Sequence, residues 1–155
     1  MVAQQAVSRL DLPQLPIAMS PPGTQLVGVP TWLWIDSTTW TTRSASASVG
    51  AVTATATATP SRVVWSTGDG AQVTCTGPGT PWQQGTDPAA PSPTCGHVYR
   101  RASTTAAGGA FPVTATVSWS IAWSGAGQAG ALPALTTSAT TSTRVDEVRA
   151  VVVTG

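Results

Sequence analysis

The sequence predicts an all-β chain, folded as an antiparallel β-sandwich with a long projecting hairpin and an extended N-terminal arm. The first observation is a strict alternation between Phe111 and Trp123. Phe111, Val113, Ala115, Val117, Trp119, Ile121 and Trp123 fall on one face; Pro112, Thr114, Thr116, Ser118, Ser120, Ala122 and Ser124 fall on the other. A period of two marks a strand with one buried face. The second observation is composition. Alanine, threonine, valine, serine, glycine and proline dominate the chain, a mixture that disfavours long helices and suits short strands joined by turns. No helical periodicity competes. The third is a pair of cysteines, Cys75 and Cys95, in only 155 residues, as in small β domains held by a single bridge.

Residues 1–25 read as an extended arm or linker, because Pro13, Pro16, Pro21 and Pro22 interrupt them. Leu10, Leu12, Leu15 and Ile17 would let this arm lie along the surface of a domain spanning 26–155. From Leu26 to Ile35 a strand is expected, with Trp32 and Trp34 on one side and Leu33 and Ile35 on the other. Pro30 confines it to an edge or marks a bend. From Ser44 to Thr59 the chain reads as one half-buried strand, Val52, Ala54, Ala56 and Ala58 facing one way and Thr53, Thr55, Thr57 and Thr59 the other; Pro60 ends it. A short strand at Val63, Val64 and Trp65 follows. Gly68-Asp69-Gly70 then forms a tight turn into Gln72–Thr76, and a proline- and glycine-rich loop runs from Gly77 to Gly96. The strand from Phe111 to Trp123 would run roughly 44 Å at about 3.4 Å per residue, so it has to bend, bulge or project beyond the sandwich. Gly125 to Gly130 reads as a hairpin turn. The return strand is drawn from residues between Leu132 and Val153, ending in Val151-Val152-Val153.

Charged residues make up 8% of the chain and the net charge is +1, with no basic run, which argues against a grip on nucleic acid. Disorder goes with low hydrophobicity and high net charge, and this chain has neither. No apolar run approaches the roughly 20 residues that cross a bilayer as a helix. Met1-Val2-Ala3-Gln4-Gln5 lacks the basic start and apolar stretch of a signal peptide, so an exported form is expected to have carried a leader ahead of this chain. The cysteines read as one disulfide, which implies an oxidising compartment; closing a loop of about 20 residues contributes on the order of 3 kcal/mol. The alternative is two unrelated buried thiols. A metal held by both cysteines would need His97, the sole histidine, and a carboxylate from a very small set, so no metal or other cofactor is expected.

At Val63 to Gly70 the residues Val-Val-Trp-Ser-Thr-Gly-Asp-Gly resemble the signature of PKD (polycystic kidney disease) repeats, an aromatic strand running into a Gly-Asp-Gly turn. His97-Val98-Tyr99 resembles that family's His-x-Tyr step. Phe111-Pro112-Val113-Thr114-Ala115-Thr116-Val117 resembles its closing strand. The resemblance spans Ser44 to Val117, and is to diverged domains of exported actinobacterial proteins. It departs from the family at Ser66-Thr67, in the long Cys75–Cys95 loop and in the tryptophan-rich stretch before Ser44. It implies an immunoglobulin-like extracellular sandwich used as a spacer or for protein and carbohydrate contacts. In such a domain Trp65 plugs the core, Gly68, Asp69 and Gly70 form a structural turn, and His97 and Tyr99 anchor the chain where it re-enters the sheet.

Catalysis requires converging titratable groups, and here they are few and widely spaced. Asp146 and Glu147 are adjacent, so on a strand they would face opposite ways. Ser103, His97 and Asp69 assemble a triad on paper but lack a nucleophile elbow, and no enzyme is expected. Asp36, Asp69 and Asp87 offer oxygen ligands for calcium without the spaced acidic loop of an EF-hand. The tryptophans form the candidate interaction surface. Trp32, Trp34, Trp119 and Trp123 are expected to pack together beneath the hairpin, with any exposed part of that cluster open to a partner. Trp40 and Trp82 lie in loops, and Trp82 could stack on a sugar ring. The sequence therefore points to a non-catalytic structural or adhesion module, extracellular or in the cell envelope. Its expected partner is another protein at the cell surface or a second copy of itself, with carbohydrate binding as the alternative.

Overall fold

The computed structural model describes residues 2–147. Val151-Val152-Val153 lie outside the described residues. Ten principal elements follow in chain order: helix α1 (Val2–Ser8), then strands β1 (Ile17–Ser20), β2 (Thr24–Leu26), β3 (Pro30–Ile35), β4 (Arg43–Val49), β5 (Val52–Ser66), β6 (Gln72–Cys75), β7 (Gly96–Val98), β8 (Phe111–Gly125) and β9 (Gln128–Asp146). They form two packed sheets. The smaller is ordered β1-β3-β7; the larger is β2-β9-β8-β5-β4, with β6 also on β5. The all-β sandwich expected from the sequence is the fold. No described helix is long and apolar enough to cross a membrane.

The long strands β5 and β8 organise the larger sheet. β8 alternates as its sequence requires: Phe111, Val113, Ala115, Val117, Trp119 and Ile121 are buried and the residues between them are not. β5 runs through Pro60, whereas the sequence reading ended the strand there. Its buried residues are Ala54, Ala56, Ala58 and Pro60, then Val63 and Trp65. The change from even to odd positions coincides with a register shift: Pro60 pairs with Trp119 and Arg62 with Ser118. Ser61 is the unmatched residue of a bulge, and its hydroxyl donates to Ser118 O at 3.0 Å. A bulge is also where a strand tolerates a residue without an N–H. Across β8 a second shift lies at the same level, between the pairs Trp119–Leu135 and Ile121–Leu132. There β9 holds the extra residue, beside Pro133. Paired bulges thus flank Trp119, and the long strands deform at that level.

Residues 44–59 also differ from the single strand expected. The chain turns at Gly50-Ala51, so β4 and the first half of β5 form a hairpin, with Ser46 opposite Thr55 and Ala47 opposite Ala54. The alanines change phase across this turn, Ala45 and Ala47 before it and Ala54, Ala56 and Ala58 after it, a break that a single-strand reading passes over. Hydroxyl pairs run along the outer face: Ser44–Thr57, Ser46–Thr55 and Ser48–Thr53.

The N-terminal segment is not an extended arm. Val2–Ser8 is helical, and Ala3, Ala6, Leu10 and Leu15 are buried. α1 packs on β4, β5 and β8, and Ala6 joins Ala47, Ala56, Ala58 and Ile121 in the core. Alanine on both surfaces lets the helix backbone lie close to the sheet. Seven residues are too few for a stable helix in isolation, and no acidic residue favours its first turn. Packing makes this helix, which is why propensity missed it. Beyond it Ile17–Ser20 pairs with β3, so residues 2–25 contribute to both layers.

The smaller sheet covers the other half of the same face, where Leu33 and Ile35 meet Val63, Trp65, Val113 and Val117. Trp65 is fully buried. Its indole N–H has no hydrogen-bond partner, a loss of about 1–3 kcal/mol that burial of a large ring offsets. Cys75, at the end of β6, is bonded to Cys95, just before β7, with a Cα–Cα distance of 5.8 Å. One disulfide therefore joins the two sheets.

The parity argument gives a direct test. Deleting Ser61 would leave Ala54, Ala56 and Ala58 in phase with Val63 and Trp65 in a regular strand and is expected to preserve a cooperative melt. Inserting one residue beside Ser61 would instead turn Val63 and Trp65 to the opposite face and is expected to cost the native tryptophan fluorescence and cooperative melting. Ser61→Ala removes only a side-chain bond and is expected to cost under about 1 kcal/mol by chemical denaturation.

Candidate functional site

Thr67 to Ala71 turn the chain from β5 into β6. Gly68 and Gly70 both have positive φ, 86° and 92°, where a side chain is strained. They differ in what surrounds them. A Cβ on Gly68 would lie 2.5 Å from Pro112 O and 2.6 Å from Phe111 Cβ, whereas one on Gly70 would meet nothing within 4 Å. The turn is therefore pressed against the start of β8, and Gly68 permits the contact.

Asp69 is held from several sides. Its Oδ1 accepts from the Thr67 hydroxyl and from Ala71 N–H, closing the turn on itself. Its Oδ2 lies 2.8 Å from His97 Nε2, and Arg101 donates to its backbone carbonyl at 3.1 Å. Burial disfavours the charged carboxylate, but the bonds from Thr67, His97 and Ala71 and the charge of His97 outweigh it, holding the carboxyl below its ordinary value. Tyr99 is fully buried, stacked on Phe111 with centroids 5.7 Å apart, and its hydroxyl donates to Thr67 O at 2.9 Å. Burial, reinforced by the Asp69 charge, raises the phenol above its ordinary value. His97 meets Tyr99 edge-on at 4.8 Å. Gly68, Asp69, Gly70, His97 and Tyr99 thus lie in one connected region, with Trp65 in the main core just ahead of the turn, and the Asp69–His97 bond joins the larger sheet's turn to β7 of the smaller sheet.

An open depression of about 580 Å³ lies outside this cluster, with Thr31, Asp69, His97, Arg100 and Arg101 on its walls. Ser103 does not complete a triad there. It is buried, donates to Gly109 O at 2.7 Å and accepts from Val145 N–H at 2.9 Å. Asp36 and Asp87 do not join Asp69 either: each accepts from backbone two residues on, Thr38 N–H and Ala89 N–H. No group of three or more potential metal ligands occurs among the described residues.

The tryptophans do not form the single cluster expected beneath the hairpin. Trp119 is in the main core and donates to Thr137 Oγ1 at 3.0 Å. Trp123 is half-buried and lies over Gly130, its cross-strand neighbour. Trp32 and Trp34 are on the opposite face of β3 from Leu33 and Ile35, so they point away from the core. Trp32 is buried there by the cysteine-spanned loop: its indole donates to Ala90 O at 2.9 Å and it meets Trp82 edge-on at 5.1 Å. Trp34 is half-buried, with Gly79 against its backbone. Trp40 packs against the main core. The sequence divides β3 into two sides but groups Trp32 and Trp34 with the hairpin tryptophans, whereas they face outward, Trp32 beneath the cysteine-spanned loop.

Gly68→Ala is expected to cost about 3 kcal/mol, combining left-handed strain with overpacking, against about 1 kcal/mol for Gly70→Ala; urea melts of both variants check this. The Asp69 contribution is complete above the ordinary carboxylate value and declines as pH falls through the lowered one. Melts across mildly to strongly acidic pH are accordingly expected to show a steeper loss for the wild type than for Asp69→Asn. Comparison with protein-family models, with curated proteins and with solved structures finds no match for this chain.

Proposed function

We propose that this chain is a non-catalytic structural or adhesion module of a secreted or cell-envelope protein, acting through protein contacts. The observation that carries the reading is the bracing of the two sheets by the Cys75–Cys95 bridge and the Asp69–His97 bond. The sole histidine and the sole tyrosine are committed to the frame, and Ser103 to backbone groups. A disulfide across a small sandwich supports an oxidising, extracellular setting. The ordered motifs at Val63–Gly70, His97–Tyr99 and Phe111–Val117 support a diverged PKD-like domain, a family of extracellular spacers and contact modules.

A second reading, carbohydrate binding, is favoured by one feature. Trp82 is half-buried and lines an open, largely apolar depression of about 410 Å³ with Pro22, Pro30, Gln84 and Pro88, a surface on which a sugar ring could stack.

Protein purified without reductant is expected to take up no alkylating label and to lose about 3 kcal/mol of stability on reduction; two labelled thiols in natively exported protein would remove the compartment argument. No hydrolytic turnover is expected. Turnover abolished by both His97→Ala and Asp69→Asn in folded protein would overturn the non-catalytic reading. Glycan-array binding lost in Trp82→Ala would replace the first reading with the second.

A further inference from the structure

The larger sheet has one edge that the fold leaves open. β9 pairs with β8 along its length, but its other edge meets β2 only at Arg144, Val145 and Asp146. From Gln128 to Thr143 that edge has no partner strand among the described residues. Exposed edges are ordinarily guarded by charge, by proline or by shortness. This one carries no Asp, Glu, Lys or Arg between Gln128 and Thr143, and Pro133 is its only proline.

The sandwich is also open beside this edge. Depressions of about 210 Å³, lined by Val7, Leu132 and Leu135, and about 230 Å³, lined by Ile17, Met19 and Thr141, lie along it. Leu135 is 38% exposed. An added strand would gain main-chain hydrogen bonds at the edge and hollows for its alternate side chains.

We propose that the occupant is the β9 edge of a second copy, paired antiparallel about a two-fold axis at Ser138. This rests on reading the domain as a protein-contact module and names its partner. The register follows from where the edge stops. Pro133 has no N–H to offer at one end, and β2 covers the strand beyond Thr143 at the other. Pro133–Thr143 is therefore the stretch that can pair with itself, and Ser138 is its midpoint. A two-fold axis sets each residue type against its own surroundings, which an uncharged edge accepts without like-charge repulsion. On the outer face Thr136 would meet Thr140 of the second copy and Ser138 its own counterpart. That continues hydroxyl pairs already made across β8 and β9, Thr114–Thr140 and Thr116–Ser138, both at 3.1 Å. On the inner face Leu135 would meet Thr141 of the second copy, beside the hollow lined by Ile17 and Met19.

Ser138 is exposed, so charged substitutions there leave the core intact. Sedimentation velocity at high micromolar concentration is expected to show a dimer for the wild type. Ser138→Lys and Ser138→Glu are each expected to run as monomers with the wild-type melting temperature. Mixing the two variants is expected to restore a dimer, because unlike charges then meet at the axis; a merely structural effect would not be rescued. A monomeric wild type, a dimer that survives Ser138→Lys, or no re-association in the mixture would each overturn the proposal. A monomeric wild type that still binds a purified envelope protein would remove the homotypic edge and leave the adhesion reading standing.

Discussion

A β-strand buries one face only, and a continuous strand keeps that face from end to end unless a residue is added or removed. β5 carries two apolar series in opposite phase, the alanines before Pro60 and the Val63–Trp65 pair after it. Ser61 is the residue that puts them out of phase, and its bulging out of the ladder brings them onto one surface. Everything else in the larger sheet follows from that alignment. β8 can pair with β5 over nearly its whole length only because both halves of β5 face the same way. One edge of β5 can then hold β4 and β6 one after the other.

The aligned surface is covered by two different devices. Below the bulge, where side chains are large, the smaller sheet lies over Val63, Trp65, Val113 and Val117. Above it, where residues are alanine, a sheet at ordinary spacing would leave a void, because alanine projects too little to reach across roughly 10 Å. A helix bearing its own alanines fills the space instead. The alternating Ala-Thr tract therefore specifies a close backbone approach as much as a strand.

Much of the architecture was legible from residues alone. Phe111–Trp123 alternates without exception, which fixed the central strand. The cysteine bridge and the Gly-Asp-Gly turn also match the sequence reading; β3 divides into the two expected sides, but Leu33 and Ile35, not Trp32 and Trp34, face the core. What was not legible shares a cause. α1 and the continuation of β5 past Pro60 depend on contacts with distant chain, and local pattern is silent on those. The same holds for the site. Asp69 was read as a local turn residue, and its Oδ1 does close the turn. That its Oδ2 meets His97 on the other sheet is set by how β7 docks, and nothing near either residue announces it.

The cross-sheet disulfide and the Asp69–His97 bond lie toward one end of the molecule, near the β5–β6 turn and the start of β8. The far end, with the β4–β5 and β8–β9 turns, has only noncovalent packing from a short helix. The domain is therefore fastened like a clasp, with a hinge that cannot part and a lip that can. Local opening will begin at the lip, releasing α1 from the alanine surface while the hinge half keeps its packing. A tensile load passed between sheets at the hinge would meet a covalent bond before any hydrogen bond gave way, a property suited to a module that has to hold.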